Sequence, residues 1–254
     1  MLNKVMIGRY YNVRSLVHKM NPIAKIICTF IFIIMSFLIF DLRFNMLISF
    51  LLVLMLLNTK VPLKIYLKTI LNIKWLLLLI LITNIIIGSN LVVTIITMLR
   101  LIYIVLYTAI LTLTTPPTEI IYGIEKIFLP LKLIGLPVNK IALSISLVLK
   151  FIPTIIDQKN KILKSQASRG IDYYNSNLKG KFLAIHSSII PAFILSFKKT
   201  NDLSDLVEVR LYNIDNKRVN FRQNRWGFYD TFLVLIHLAI LILIVVKGVL
   251  IWDI

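Results

Sequence analysis

Two arginines, Arg169 and Arg210, each close a stretch that begins apolar and ends polar. They stand 41 residues apart, in KSQASRG (164–170) and VEVRLY (207–212). A guanidinium at a helix end carries five donors in a planar fork and keeps its charge. It can grip a carboxylate or bond open carbonyls in a groove. Ser168 and Gly170 flank the first arginine with little bulk, so a partner backbone can approach closely. Val209 and Leu211 flank the second, and Gln166 and Glu208 are accessory candidates at the two ends. The chemistry on offer is recognition, not bond making. Helix-terminal arginines are common, so spacing alone leaves both as either interfacial charges or docking points.

Other reactive residue types give no constellation. His18, His186 and His237 are scattered, and a lone histidine in such settings reads as a packed or interfacial side chain. Cys28 is the single cysteine and lies in an apolar run, which excludes an intramolecular disulfide. Asp202, Asp205 and Glu208 share one helix face beside Lys198 and Lys199, the pattern of a solvated face. No Walker A, G-x-S-x-G or H-E-x-x-H pattern occurs, so neither nucleotide hydrolysis nor those hydrolytic chemistries is expected of this chain. No cofactor is expected. The apolar runs hold no acid, which removes the usual ligands of a proton or sodium relay.

The elements that must carry these arginines are membrane elements. The 254 residues are 58% hydrophobic, with a mean hydropathy of +0.87, too apolar for a soluble domain of this length. The formal charge is +18, but the basic residues flank apolar runs. That placement fits the positive-inside rule and anionic lipid, and argues against nucleic acid. The expected class is an all-α polytopic membrane protein with about five spans plus long amphipathic helices on the cytoplasmic side. Spans are expected at 23–40, about 44–58, 75–87, 91–113 and from Phe232 onward. Lys60, Lys64, Lys68 and Lys74 lie in the 58–74 connection, and Lys4, Arg9, Arg14, Lys19 and Lys25 in the N-terminal flank. Both sides of that asymmetry place the N-terminus in the cytoplasm. No cleavable signal peptide is expected, so the first span directs insertion. Arg100 sits inside the fourth span and reads first as a structural partner for a neighbouring helix.

TTPPTE (114–119) changes the character of the chain. Its prolines stop one helix, and Thr118 is expected to cap the next, with Glu119 in the first turn. From Thr115 to Phe228 there are 17 Lys or Arg against 8 Asp or Glu, still with apolar stripes. The expected division is a four-span bundle (1–114), a cytoplasmic or interfacial coupling module (115–228) and a last span (229–254). Within the module two long helices run from apolar to polar. Pro153 should kink the first, and Gly170 should cap it.

With these motifs in order, the chain resembles the transmembrane (T) component of energy-coupling factor transporters, of the shared type. IGRY…SLVHKMNPIAKI resembles that family's N-terminal stretch, and TLTTPPTEIIYGIEKIFLPLKLIGLPVNKIALSISLVLKFIPTI its central block. SQASRG and LVEVRLY resemble its two arginine motifs, and RWG (225–227) fits before the last span. The resemblance implies a multi-pass protein of a prokaryotic cell membrane that works without catalysis. It implies two coupling helices whose arginine ends, Ser168-Arg169-Gly170 and Val209-Arg210-Leu211, sit in grooves of two ABC-type ATPase subunits. It also implies an apolar platform, about Ile120–Leu149 and Phe182–Phe197, for a membrane-embedded substrate-binding S component that carries a vitamin. Two departures stand out. Leu211 replaces the usual Gly and Val209 the frequent Ala, which implies looser docking there or a wider groove. Met20-Asn21 replaces the usual Leu-Asp before Pro22, so no carboxylate caps the first span from that position. The alternative is a conventional ABC permease with its own translocation path. A membrane-embedded enzyme lacks a catalytic constellation.

Overall fold

The structure, a computed structural model, describes residues 10–39, 42–88, 90–135, 137–170, 177–211 and 226–252. Every regular element among them is helical: α1 (Leu16–Lys19), α2 (Pro22–Leu38), α3 (Leu42–Thr59), α4 (Leu63–Asn72), α5 (Lys74–Ile87), α6 (Leu91–Thr114), α7 (Pro117–Phe128), α8 (Val138–Ala167), α9 (Leu178–Val209) and α10 (Phe228–Trp252). A short 3-10 turn, Leu129–Ile134, follows α7. The chain is an all-α polytopic membrane protein. It divides into two compact units, Gly8–Ile134 with Phe221–Ile254, and Gly135–Asn220 with Met1–Ile7.

Local chemistry explains the helix ends. Asn21 caps α2, its side chain accepting from Ile23 N–H at 2.9 Å, and Pro22 occupies the first helical position. Asn90 caps α6, and Gly88 ends α5 in the left-handed region at φ 74°. Thr118 does not cap α7. Pro116 takes the cap position and Pro117 the first turn, where its fixed φ starts the helix and its missing N–H needs no partner. The helix α8 continues through Pro153.

Length and composition single out α6, α8 (from Lys140), α9 and α10 (to Lys247) as able to cross a membrane, with the bent pair α4–α5 as a fifth. The apolar helices α2 and α3 are shorter. The set differs from the spans expected at sequence level because α8 and α9 pass the same test despite their polar second halves. The basic 58–74 connection, in which no element was expected, holds α4. Its leucines recur every fourth residue, a helical signal that the interspersed lysines hide from a hydropathy average.

The core of the first unit lies between α2, α3, α6 and α10. Phe32, Met35, Tyr107 and Ile48 are its deepest large side chains. Phe32 stacks on Tyr107 with centroids 4.0 Å apart. Tyr107 Oη donates to His237 Nε2 at 2.7 Å, while His237 Nδ1–H donates to the Leu233 carbonyl at 2.8 Å. The carbonyl can only accept, which fixes the neutral tautomer. His237 is thus a packed histidine that ties α10 to α6. Arg100 Nη2 donates to the Ile39 carbonyl at the end of α2 at 2.9 Å, the structural role expected of it.

Candidate functional site: two arginine-tipped helices

The helices α8 and α9 pack along each other within the second unit. Gln166 Nε2 donates to the Ser187 carbonyl at 3.4 Å. Fifteen residues earlier on α8, Phe151 lies under Lys199 Nζ at 5.3 Å. As the α8 number falls, the α9 number rises, so the two helices are antiparallel through the contact. Their arginine ends therefore stand at opposite ends of the pair. Counted along α9 from Ser187 to Arg210 at 1.5 Å per residue, that is roughly 35 Å. Ile162, Leu163, Ala184 and Ser188 are buried along this contact.

At the first end the chain tightens into a turn. Ser168 N–H bonds Lys164 O at 3.1 Å, Arg169 N–H bonds Gln166 O at 2.9 Å and Gly170 N–H bonds Ala167 O at 3.0 Å. Ser168 Oγ also donates to Lys164 O at 3.2 Å. Gly170 adopts φ 88°. The side chains of Ser168 and Arg169 are exposed. At the second end Arg210 N–H bonds Leu206 O at 3.3 Å and Leu211 N–H bonds Glu208 O at 2.8 Å. Leu211 adopts φ 52°. Both arginines are thus followed by a left-handed residue, glycine in one case and leucine in the other. The missing glycine is replaced in backbone conformation but not in bulk. Leu211 is 91% exposed and Val209 81%, with Leu206 beside them at 58%.

The two accessory candidates part company. Glu208 is exposed at the second end, whereas Gln166 is 8% exposed and bonded to α9. Both helices also present broad apolar faces. Ile141, Ile145 and Val148 are exposed on α8, and Phe182, Ile190, Phe193 and Phe197 on α9. Lys4, Ile7, Gly8 and Arg9 of the N-terminal flank and the basic segment 212–225 lie outside the described residues.

One buried cluster in the first unit had no sequence signal strong enough to find it. Lys25 is 5% exposed and its Nζ donates to His18 O at 3.4 Å, Thr114 O at 3.3 Å and Thr115 Oγ1 at 3.2 Å. Asp230, 3% exposed, accepts from Asn21 N–H at 3.0 Å and Gly227 N–H at 2.8 Å. A cation thus seals the C-terminal ends of α1 and α6, and an anion the N-terminal ends of α2 and α10, as the helix dipoles favour. The carboxylate absent at position 21 is supplied by Asp230 from the other end of the chain. His18 sits in the same strap. Its Nε2–H donates to Tyr11 O at 2.9 Å and its Nδ1 accepts from Ser15 Oγ at 2.6 Å. Burial lowers its pKa, the bond to the Tyr11 carbonyl opposes that, and the Lys25 charge adds to it. Gly123 places α7 on α2 closely enough that a Cβ there would meet Ile26 Cδ1 at 2.6 Å. This part of the stretch read as coupling module belongs to the first unit.

Comparison with known proteins decides the family. Residues 13–220 match the CbiQ family, described as cobalt transport protein. The energy-coupling factor transporter transmembrane protein EcfT of Listeria innocua is 36% identical over 99% of both chains. The EcfT of Bacillus subtilis is 33% identical over 91% of this chain and 93% of its own, and that of Staphylococcus aureus 32% over 91% and 92%. The chain belongs to the T-component family of energy-coupling factor transporters. A T component is a non-catalytic membrane subunit of a transporter, in keeping with the absence of an enzyme motif. Lys25, Arg169 and Arg210 all fall within the residues 13–220 that match the CbiQ family.

Proposed function

We propose that this T component is the mechanical link of its transporter. Two ABC-type ATPase subunits take the two arginine ends, and their ATP-driven movement reorients a membrane-embedded S component that carries a vitamin or similar micronutrient. The carrying observation is the shared build of the two ends. Each is an exposed arginine followed by a left-handed residue, at opposite ends of one antiparallel helix pair. Two attachment points about 35 Å apart by helical rise transmit a rotation or push, where one point would act as a swivel. Docking involves Ser168, Arg169 and Gly170 at one end and Val209, Arg210 and Leu211 at the other. Glu208 is placed to assist at the second, and Gln166 acts by holding α8 on α9. The exposed apolar faces of α8 and α9 serve as the S-component platform. The N-terminus lies in the cytoplasm, with the basic flanks on the same side.

The test is uptake in a reconstituted transporter. Arg169→Glu with Arg210→Glu should abolish ATP-driven uptake while the chain still inserts and folds. Undiminished uptake by that double variant sinks the proposal. Co-purification should bring down two ATPase subunits and a small integral membrane protein. Recovery of the ATPases alone, with substrate bound by this chain, would instead favour a conventional permease.

A further inference from the structure

The helix α4 is accounted for neither by the docking ends nor by the platform. Its sequence, LKIYLKTILN, divides into three faces. Tyr66, buried, with Ile65, Thr69 and Ile70 half-buried, faces the protein. Leu63, Leu67 and Leu71, each near 60% exposed, form a second stripe at i, i+4, i+8. Lys64 and Lys68 form a third stripe directly beside the leucines, and exposed Lys60 precedes them. Residues 58–74 contain no acid, and among the described residues no carboxylate pairs with these lysines.

The stripe is held in a fixed orientation. Tyr66 Oη donates to Thr59 Oγ1 at 3.1 Å, Thr59 Oγ1 donates to Leu56 O and Val61 N–H reaches Thr59 Oγ1 at 3.4 Å. These bonds lock α4 to the end of α3. At Ile73 the chain bends by 49° into α5. Just past the bend Lys74 Nζ lies 5.5 Å from the centroid of the Trp75 ring, and Trp75 is 71% exposed. An exposed tryptophan at a bend between a lysine-striped arm and an apolar arm marks the depth of a membrane interface. A leucine stripe flanked by a lysine stripe is the build of a helix lying in that interface, with leucines among acyl chains and ammonium groups among headgroups.

We propose that α4 is a built binding surface for anionic phospholipid headgroups, with Lys60, Lys64 and Lys68 as the ligating cations. The occupant follows from charge complementarity: two ammonium groups on a held arm at headgroup depth and a third just before it, with no carboxylate paired to them among the described residues. It depends on membrane insertion and not on ATPase coupling, so it stands or falls apart from the functional reading above. Each lysine near an anionic surface strengthens lipid attraction about fivefold.

The test reconstitutes the full chain, within its transporter, into vesicles of equimolar phosphatidylglycerol and phosphatidylcholine, re-extracts it gently and measures the retained lipids. The wild type should retain phosphatidylglycerol in at least tenfold excess. Lys60→Gln/Lys64→Gln/Lys68→Gln should bring the ratio near unity, and the matching triple arginine variant should keep the excess. A matched loss of charge on α8 and α9, Lys159→Gln/Lys161→Gln/Lys179→Gln, should leave it unchanged, with intact assembly of every variant checked by gel filtration. Equal retention by the α4 glutamine variant overturns the proposal. So does an equal loss in the matched control, which would mean bulk charge only. Carbodiimide cross-linking of Lys64 or Lys68 to a partner subunit's carboxylate, without lipid enrichment, would overturn it in favour of a protein occupant.

Discussion

Two sets of helix ends in this chain are finished in opposite ways. Where α6 and α10 end near α2, buried side chains close the backbone: Lys25 takes the carbonyls and Asp230 the N–H groups. Where α8 and α9 end, tightening turns close the backbone among the described residues, helped at the first end by Ser168 Oγ, and an arginine is left outside. The first kind of end stabilises a bundle; the second is what a partner can take hold of. The difference lies in which charged group faces inward. A buried lysine is tolerated because its donors meet acceptors, since leaving such groups unpaired is costly. The arginine tips are exposed and incur no such desolvation.

The sharpest way to break this contrast is to exchange the symptoms. Lys25→Met removes the donor from three acceptors, two of them backbone carbonyls. An unsatisfied buried acceptor costs about 1–3 kcal/mol, so the purified protein should melt several degrees lower. Arg169→Glu with Arg210→Glu should leave the melting temperature unchanged, because both side chains are exposed, and remove uptake. Equal melting shifts in the two variants would erase the distinction. Within the strap, His18 sharpens the same point through pH. Its folded pKa is lowered, so the unfolded chain takes up a proton first and stability should fall as pH drops through the ordinary histidine range. His18→Gln should flatten that loss between about pH 7 and 5.

The two tips also differ from each other. The first is polar: Ser168, Arg169 and Gly170. The second surrounds its arginine with exposed Leu206, Val209 and Leu211. A polar tip should rely on charge and an apolar tip on contact area. Arg169→Glu alone should therefore lower uptake by at least tenfold and Arg210→Glu by less. Raising salt should weaken ATPase capture by an Arg210→Glu chain, which depends on the polar tip, more than by an Arg169→Glu chain. Identical salt profiles would make the grooves equivalent.

The sequence exposed these two ends because their signals are local. An arginine after a long helical gradient, and a glycine just past it, can be read without knowing what lies nearby. The proline stop between α6 and α7 was legible for the same reason. The seal at Lys25 and Asp230 was not, since it joins residues 205 apart in the chain (230 − 25) through backbone atoms, which carry no residue type. Nor was α4 picked out, because the lysines of 58–74 read as charge flanking the spans and drew attention from the four-residue leucine repeat between them. Gln166 was picked out for its place beside the arginine, but its rotation about the helix axis turns it toward Ser187.

Leu211 offers the smallest effect and the most discriminating one. A leucine at φ 52° is disfavoured by roughly 1–2 kcal/mol relative to a right-handed residue, a cost glycine avoids. At 91% exposure the side chain buries almost nothing within its own unit in return. The backbone of this tip therefore favours glycine, and its side chain has value only against a partner. Leu211→Gly should increase hydrogen-exchange protection at the end of α9 in the isolated chain. The same substitution should weaken ATPase capture by the second tip a few-fold, measured in an Arg169→Glu background where that tip acts alone. Stability and docking would then move in opposite directions from one change. If both improve, the leucine is merely tolerated and the second groove is built for glycine like the first.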